Sequence, residues 1–86
     1  MIRPWEADLN AEILRRPGKS PTELGKTTSG ATCPDIWELS NGDFVVVGRE
    51  ATEAYKGRLP KDLNIGSDER LVVIPRDTLL SAAKGL

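Results

Sequence analysis

The sequence contains no histidine. Imidazole is the commonest general base near neutral pH, the commonest neutral metal ligand and the usual partner of a serine or cysteine nucleophile. Its absence removes most hydrolytic and many metal-dependent mechanisms. Cysteine is almost as scarce: Cys33 stands alone, so the chain cannot close an intramolecular disulfide or build a cysteine-rich structural zinc site. That usage fits a reducing, cytoplasmic compartment. Long apolar runs are missing as well, and the opening Met1-Ile-Arg-Pro-Trp-Glu-Ala-Asp8 turns acidic where a secretory signal carries its apolar stretch, so neither membrane insertion nor secretion is expected. Finally, there is no excess of charge. Twelve basic residues against thirteen acidic ones give a net charge of -1, which supplies no bulk attraction toward phosphate backbones or anionic lipid.

What is present suits one small globular domain. The chain has 86 residues, 38% of them apolar and 29% charged, enough for a real core but a thin one. Residues 1–32 read as an N-terminal arm. Trp5, Leu9 and Ile13 recur at i, i+4 and i+8, which predicts a short amphipathic helix over 1–16, and the Pro-, Gly-, Ser-, Thr- and Lys-rich stretch 17–32, with Leu24 as its one large apolar residue, reads as a flexible linker.

Residues 33–86 carry the folded domain. The strongest local signal is the segment 35–48, two strand-like runs joined at Asn41-Gly42, a dipeptide suited to a type I′ turn. A two-residue turn there pairs Leu39 with Phe44, Trp37 with Val46 and Ile36 with Val47. It places Trp37, Leu39, Phe44 and Val46 on one face, and Ile36, Glu38, Val45 and Val47 on the other. Residues 50–58 read as a short helix, 59–68 as a loop, 70–74 as a third strand stopped by Pro75, and 77–84 as a closing helix with Leu79, Leu80 and Ala83 on its apolar side. The expected fold is α+β: a small, mainly antiparallel three-stranded sheet with short helices in the order β-β-α-β-α. Both sheet faces are apolar while one helix layer covers one face, so the second face calls for the N-terminal segment or an identical subunit.

No pattern of catalytic residues emerges, and no cofactor or metal is expected. Cys33 adjoins Pro34 with no activating neighbour in sequence and reads as a core residue. Gly18-Lys19-Ser20 and Gly25-Lys26-Thr27 each look like the end of a phosphate-binding loop, but the glycine required five positions earlier is Ile13 in one case and Ser20 in the other. Asp62, Asp68 and Glu69 lack calcium-loop spacing and read as solvated charge. Trp37, in mid-strand, reads as core rather than as an interface anchor. The one basic region, Arg15, Arg16, Lys19 and Lys26, is the candidate nucleic-acid contact, and Ser20 and Thr22 within it are conceivable phosphorylation positions. The candidate protein interface comprises Trp5, Leu9, Ile13, Ile36, Val45 and Val47.

From Cys33 onward the order of features resembles a family of small actinomycete regulatory domains related to the developmental protein BldB. The likeness lies in Cys33 opening a strand, Asn41-Gly42-Asp43 before a valine-rich strand ending Gly48-Arg49-Glu50, and the apolar run Leu71 to Ile74 feeding the closing helix. The closing helix lacks a tryptophan that the pattern includes, the insert 50–59 reads as helix in place of a loop, and residues 1–32 have no counterpart. The resemblance implies a non-enzymatic regulator that dimerises or binds a protein partner such as a helix-turn-helix regulator, in an antitoxin-like setting, and it transfers no catalytic residue. Direct DNA binding as an accessory regulator, through the basic arm 15–26, is the alternative.

Overall fold

The computed structural model describes residues 3–28 and 33–86. Its organising element is the hairpin of β2 (Asp35–Leu39) and β3 (Phe44–Val47). The turn is one residue longer than expected. Leu39 N–H donates to Asp43 C=O at 2.8 Å and Gly42 N–H donates to Leu39 C=O at 3.0 Å, which encloses Ser40, Asn41 and Gly42. A type I′ turn requires positive φ at both central residues, yet Asn41 keeps negative φ and Gly42 alone is left-handed in this turn, at φ 90°. The arrangement is the three-residue loop in which a turn is followed by a left-handed residue. The Asn41 side chain stabilises it by accepting the Asp43 N–H at 3.0 Å.

That extra residue changes the register. The observed pairs are Asp35–Val47, Ile36–Val46, Trp37–Val45 and Glu38–Phe44. Because side chains alternate with period two, the shift exchanges β3's faces relative to β2. Trp37, Leu39, Val45 and Val47 share one face, and Ile36, Glu38, Phe44 and Val46 the other, which corrects the expected grouping.

The third strand of this antiparallel sheet comes from the N-terminal segment. β1 (Ile13–Arg15) pairs with β2 through Ile13–Leu39 and Arg15–Glu38, with a bulge between, giving the order β1-β2-β3. The helix expected over 1–16 does not form among the described residues. The Asp8 carboxylate accepts the Asn10 N–H at 3.0 Å and its carbonyl accepts the Ala11 N–H at 3.1 Å, so a local turn competes with helix where the apolar stripe would continue. The strand expected at 70–74 is reduced to β5 (Val72–Val73). It pairs with β4 (Arg49–Glu50) in a separate two-stranded sheet; Pro75 follows the run, and Gly48 stands between β3 and β4 where a β-carbon would meet the Val73 carbonyl. The expected helix at 50–58 appears as α1 (Thr52–Tyr55) passing into a 3-10 turn, and the closing helix as α2 (Arg76–Lys84). The fold is α+β, with elements in the order β1, β2, β3, β4, α1, β5, α2.

The described part of the expected linker is ordered by a capping box. Ser20 N–H donates to Glu23 Oε1 at 2.8 Å and Glu23 N–H donates to Ser20 Oγ at 3.1 Å, after which Gly25 ends the turn at φ 70°. Pro21 inside it is fully buried, Lys19 N–H donates to Ser81 Oγ at 2.8 Å, and Lys26 pairs with Asp77 at 2.9 Å, so the turn is stitched to α2. Residues 29–32 of that stretch lie outside the described residues. The core is correspondingly small: Ile36, Ala51 and Ala82 are its buried hydrophobic members.

Two glycines are fixed by this geometry. A β-carbon at Gly85 would run into the Pro17 carbonyl, so α2 closes on residue 17 only because that side chain is absent. A β-carbon at Gly42 meets nothing within 4 Å, so substitution there costs only its left-handed backbone. Gly42→Val is expected to lower stability by about 1–3 kcal/mol in urea denaturation, and an unchanged midpoint would contradict the turn.

Candidate functional site

The described surface leaves several large apolar side chains in water. Trp5 is 64% exposed, Leu9 92% and Ile13 61%, with Phe44, Val46, Val47, Leu79 and Leu80 at least two-fifths exposed. The total accessible surface is 6802 Å². A compact monomer of 9.4 kDa has about 5,000 Å². The radius of gyration, 14.5 Å, likewise exceeds the about 12 Å of a compact chain this long.

The candidate interface residues divide three ways. Trp5, Leu9, Ile13 and Val45 meet around one groove of about 270 Å³, joined by Leu39 and Phe44. β1 and β2 put Ile13 beside Leu39, the hairpin register puts Val45 on the same face, and the turn at Asp8 folds the segment bearing Trp5 across it. Val47 is exposed on that face but lies outside the groove. Ile36, 7% exposed on the opposite face, is core and presents nothing to a partner, which corrects its assignment. Phe44 and Val46 went unnamed as surface residues because the two-residue turn placed them with Trp37 and Leu39. A second apolar groove, about 410 Å³, is lined by Tyr55, Leu59, Pro60, Leu63, Val72 and Val73 among others.

The basic region is locally neutralised. Arg16 makes a bidentate pair with Asp35, Nε and Nη2 each at 2.8 Å, and its guanidinium lies 4.6 Å from the centre of the Trp37 ring. The Arg16 fork, joined by the Trp37 indole N–H and opposed by the partial burial of the group, holds the Asp35 carboxyl below the usual carboxylate range. Arg15 pairs with Glu38 at 2.8 Å and Lys26 with Asp77, while Lys19 sits at the edge of α2 beside Ser81 and Lys84. The carboxylates considered for cation binding are engaged otherwise. Arg3 takes a bidentate hold on Asp68 and reaches Glu69, and Glu69 accepts the Gly66 N–H, while Asp62 lies exposed in the loop. Among the described residues, no group of three or more His, Cys, Asp or Glu side chains is placed to hold a metal ion. Cys33 is a half-buried free thiol. No described helix is long and apolar enough to cross a membrane.

Comparisons of the chain with protein-family models, with curated proteins and with solved structures found no match.

The Arg16–Asp35 pair gives a pH dependence with a definite sign. Asp35 has a lower pKa folded than unfolded, so its contribution is complete above the ordinary aspartate value of about 3.9 and is lost as pH falls through the folded one. Asp35→Asn is expected to destabilise the protein by about 1–3 kcal/mol at pH 7, with the gap from wild type closing in acid, measured by urea denaturation across pH. An equal gap at every pH would contradict the assignment.

Proposed function

We propose that the chain is a non-enzymatic, cytoplasmic regulatory module that works by binding protein. One observation carries the reading: large apolar side chains such as Trp5, Leu9, Ile13 and Phe44 stand exposed on a chain whose accessible surface is about 1,800 Å² above that of a compact monomer of this mass. A stable protein–protein contact removes about 800 Å² from each partner, so an excess of this size matches the demand of an interface. The groove built from Trp5, Leu9, Ile13, Leu39, Phe44 and Val45 offers the anchor chemistry, an aromatic ring among aliphatic side chains beside a rim of Asp8 and Asp43.

The regulatory part of the proposal rests on the resemblance of residues 33–86 to BldB-related domains, which favours partners such as a helix-turn-helix regulator. The pairing of Arg15 with Glu38, Arg16 with Asp35 and Lys26 with Asp77 favours protein over phosphate as the contact, since counterion release requires cationic groups free to neutralise phosphates.

Light scattering on the purified chain, together with affinity capture from native lysate and mass spectrometry, tests the proposal. Self-association or saturable capture of a defined protein, weakened by replacing Trp5 and Leu9 with Ser, is the expected result. A strict monomer that retains no protein, or a salt-sensitive complex with duplex DNA alone, would overturn it.

A further inference from the structure

The protein-binding reading leaves the partner open, and the inference here rests on that reading and names one. The three-stranded sheet has two edges, and they are built differently. β1 is a three-residue strand interrupted by a bulge, carries Arg15 and is followed by Pro17, all features that discourage further pairing. β3, the other edge, is Phe-Val-Val-Val, with no charge, no proline and no bulge. An uncharged, β-branched edge left open is a template for another strand.

The hydrogen-bonding groups on this edge can be assigned from the register. Leu39 and Asp43 form a hydrogen-bonded pair, and such pairs alternate along an antiparallel ladder. Trp37–Val45 and Asp35–Val47 are therefore hydrogen-bonded too, while Phe44 and Val46 turn their N–H and C=O groups away from β2. The same parity continues past Gly48. Ala51 N–H donates to Leu71 C=O at 3.0 Å, so odd-numbered residues again face inward, and β5 flanks β4 on the side that β2 occupies along β3. The placement of Pro34 beside Val73 and Arg49 around one small cleft agrees. The outer edge of β3 thus stays open, and no backbone hydrogen bond among the described residues reaches it.

We infer that the edge of β3 binds the β3 edge of a second copy of this chain, antiparallel about a two-fold axis at Val45. In that register Phe44 of each copy exchanges both backbone hydrogen bonds with Val46 of the other, so every outward N–H and C=O of the two residues is satisfied. Phe44 stands beside the second copy's Val46, a favourable aromatic and β-branched cross-strand pair. Asp43 comes within diagonal reach of the second copy's Arg49, so charge is complementary at each end. The axis also joins the two grooves, because Val45 lines each of them. The result is a continuous six-stranded sheet, and the surface excess of each chain is more than twice what one side of a standard interface needs.

Cross-linking and sedimentation test this directly. Wild type is expected to sediment at twice the 9.4 kDa chain mass. Val46→Pro removes an outward N–H that the β2 ladder does not use, so it should halve the mass while keeping the circular dichroism spectrum. In a Cys33→Ser background, Val45→Cys places two thiols about 4.5 Å apart by Cα across the axis, within disulfide range, whereas Val47→Cys places them much farther apart. With oxidised glutathione as electron acceptor, Val45→Cys should form a covalent dimer many times faster than Val47→Cys. If Val46→Pro loses its spectrum, the cross-link alone decides. A monomeric wild type overturns this inference, and capture of a different protein would then still uphold the broader reading. A dimer that cross-links no faster at Val45 than at Val47 also overturns it.

Discussion

The left-handed backbone of Gly42 is the constraint on which the sheet depends. With it, the loop between β2 and β3 holds Ser40, Asn41 and Gly42, and the register follows. A two-residue loop would turn Phe44 and Val46 to the Trp37 face and would bond β3 to Ile36, Glu38 and Ser40 of β2 in place of Asp35, Trp37 and Leu39, the outward edge groups remaining those of Phe44 and Val46. The turn therefore decides which side chains share a face with Ile36 and which β2 groups are left for β1. It also positions β1, since Glu12 C=O accepts the Ser40 N–H at 2.8 Å and the Ser40 hydroxyl accepts the Glu12 N–H at 2.9 Å, next to the Ile13–Leu39 pair.

A second clamp holds the far end of the same strands. Arg16 leaves β1 and grips Asp35, the first residue of β2, while covering the Trp37 ring. Between these two points β2 is the sheet's centre, supported by α2 on one side of the fold and by hydrogen-bonded neighbours on both edges. The buried apolar residues are few and mostly small, Ile36 being the largest. Most of what orders the described chain is therefore ladder, turn and ion-pair geometry, and many of the large apolar side chains, Trp5, Leu9, Ile13 and Phe44 among them, lie exposed where a second chain can cover them.

The sequence makes some of this legible and hides the rest for physical reasons. The α+β class, the hairpin and the closing helix are readable because Asn41-Gly42 between apolar runs and the spacing of Leu79, Leu80 and Ala83 are local signals. The turn length is not, since Asn-Gly serves both a two-residue turn and the last two positions of a three-residue one. β1 is hidden because Trp5, Leu9 and Ile13 mimic a helical stripe, and only the competing Asp8 turn and pairing with β2 break it. Ser20-x-x-Glu23 was a readable capping box inside a stretch whose composition suggested a linker. The groove around Val45 was half legible: Trp5, Leu9, Ile13 and Val45 were candidates, whereas Phe44 and Leu39 depend on the register. Neutralisation of Arg15 and Arg16 by Glu38 and Asp35 depends on contacts about twenty residues apart, which no local pattern encodes.

If this apolar, open-edged surface is an interface between copies, the backbone amides of β3 must report it. Amide hydrogen exchange resolved by residue is the most direct measurement. The account predicts that the Phe44 and Val46 amides, which have no partner in the isolated chain, are protected at high protein concentration and lose that protection on dilution. The Val45 and Val47 amides, bonded to β2, should stay protected throughout. Rapid exchange of Phe44 and Val46 at every concentration would contradict it.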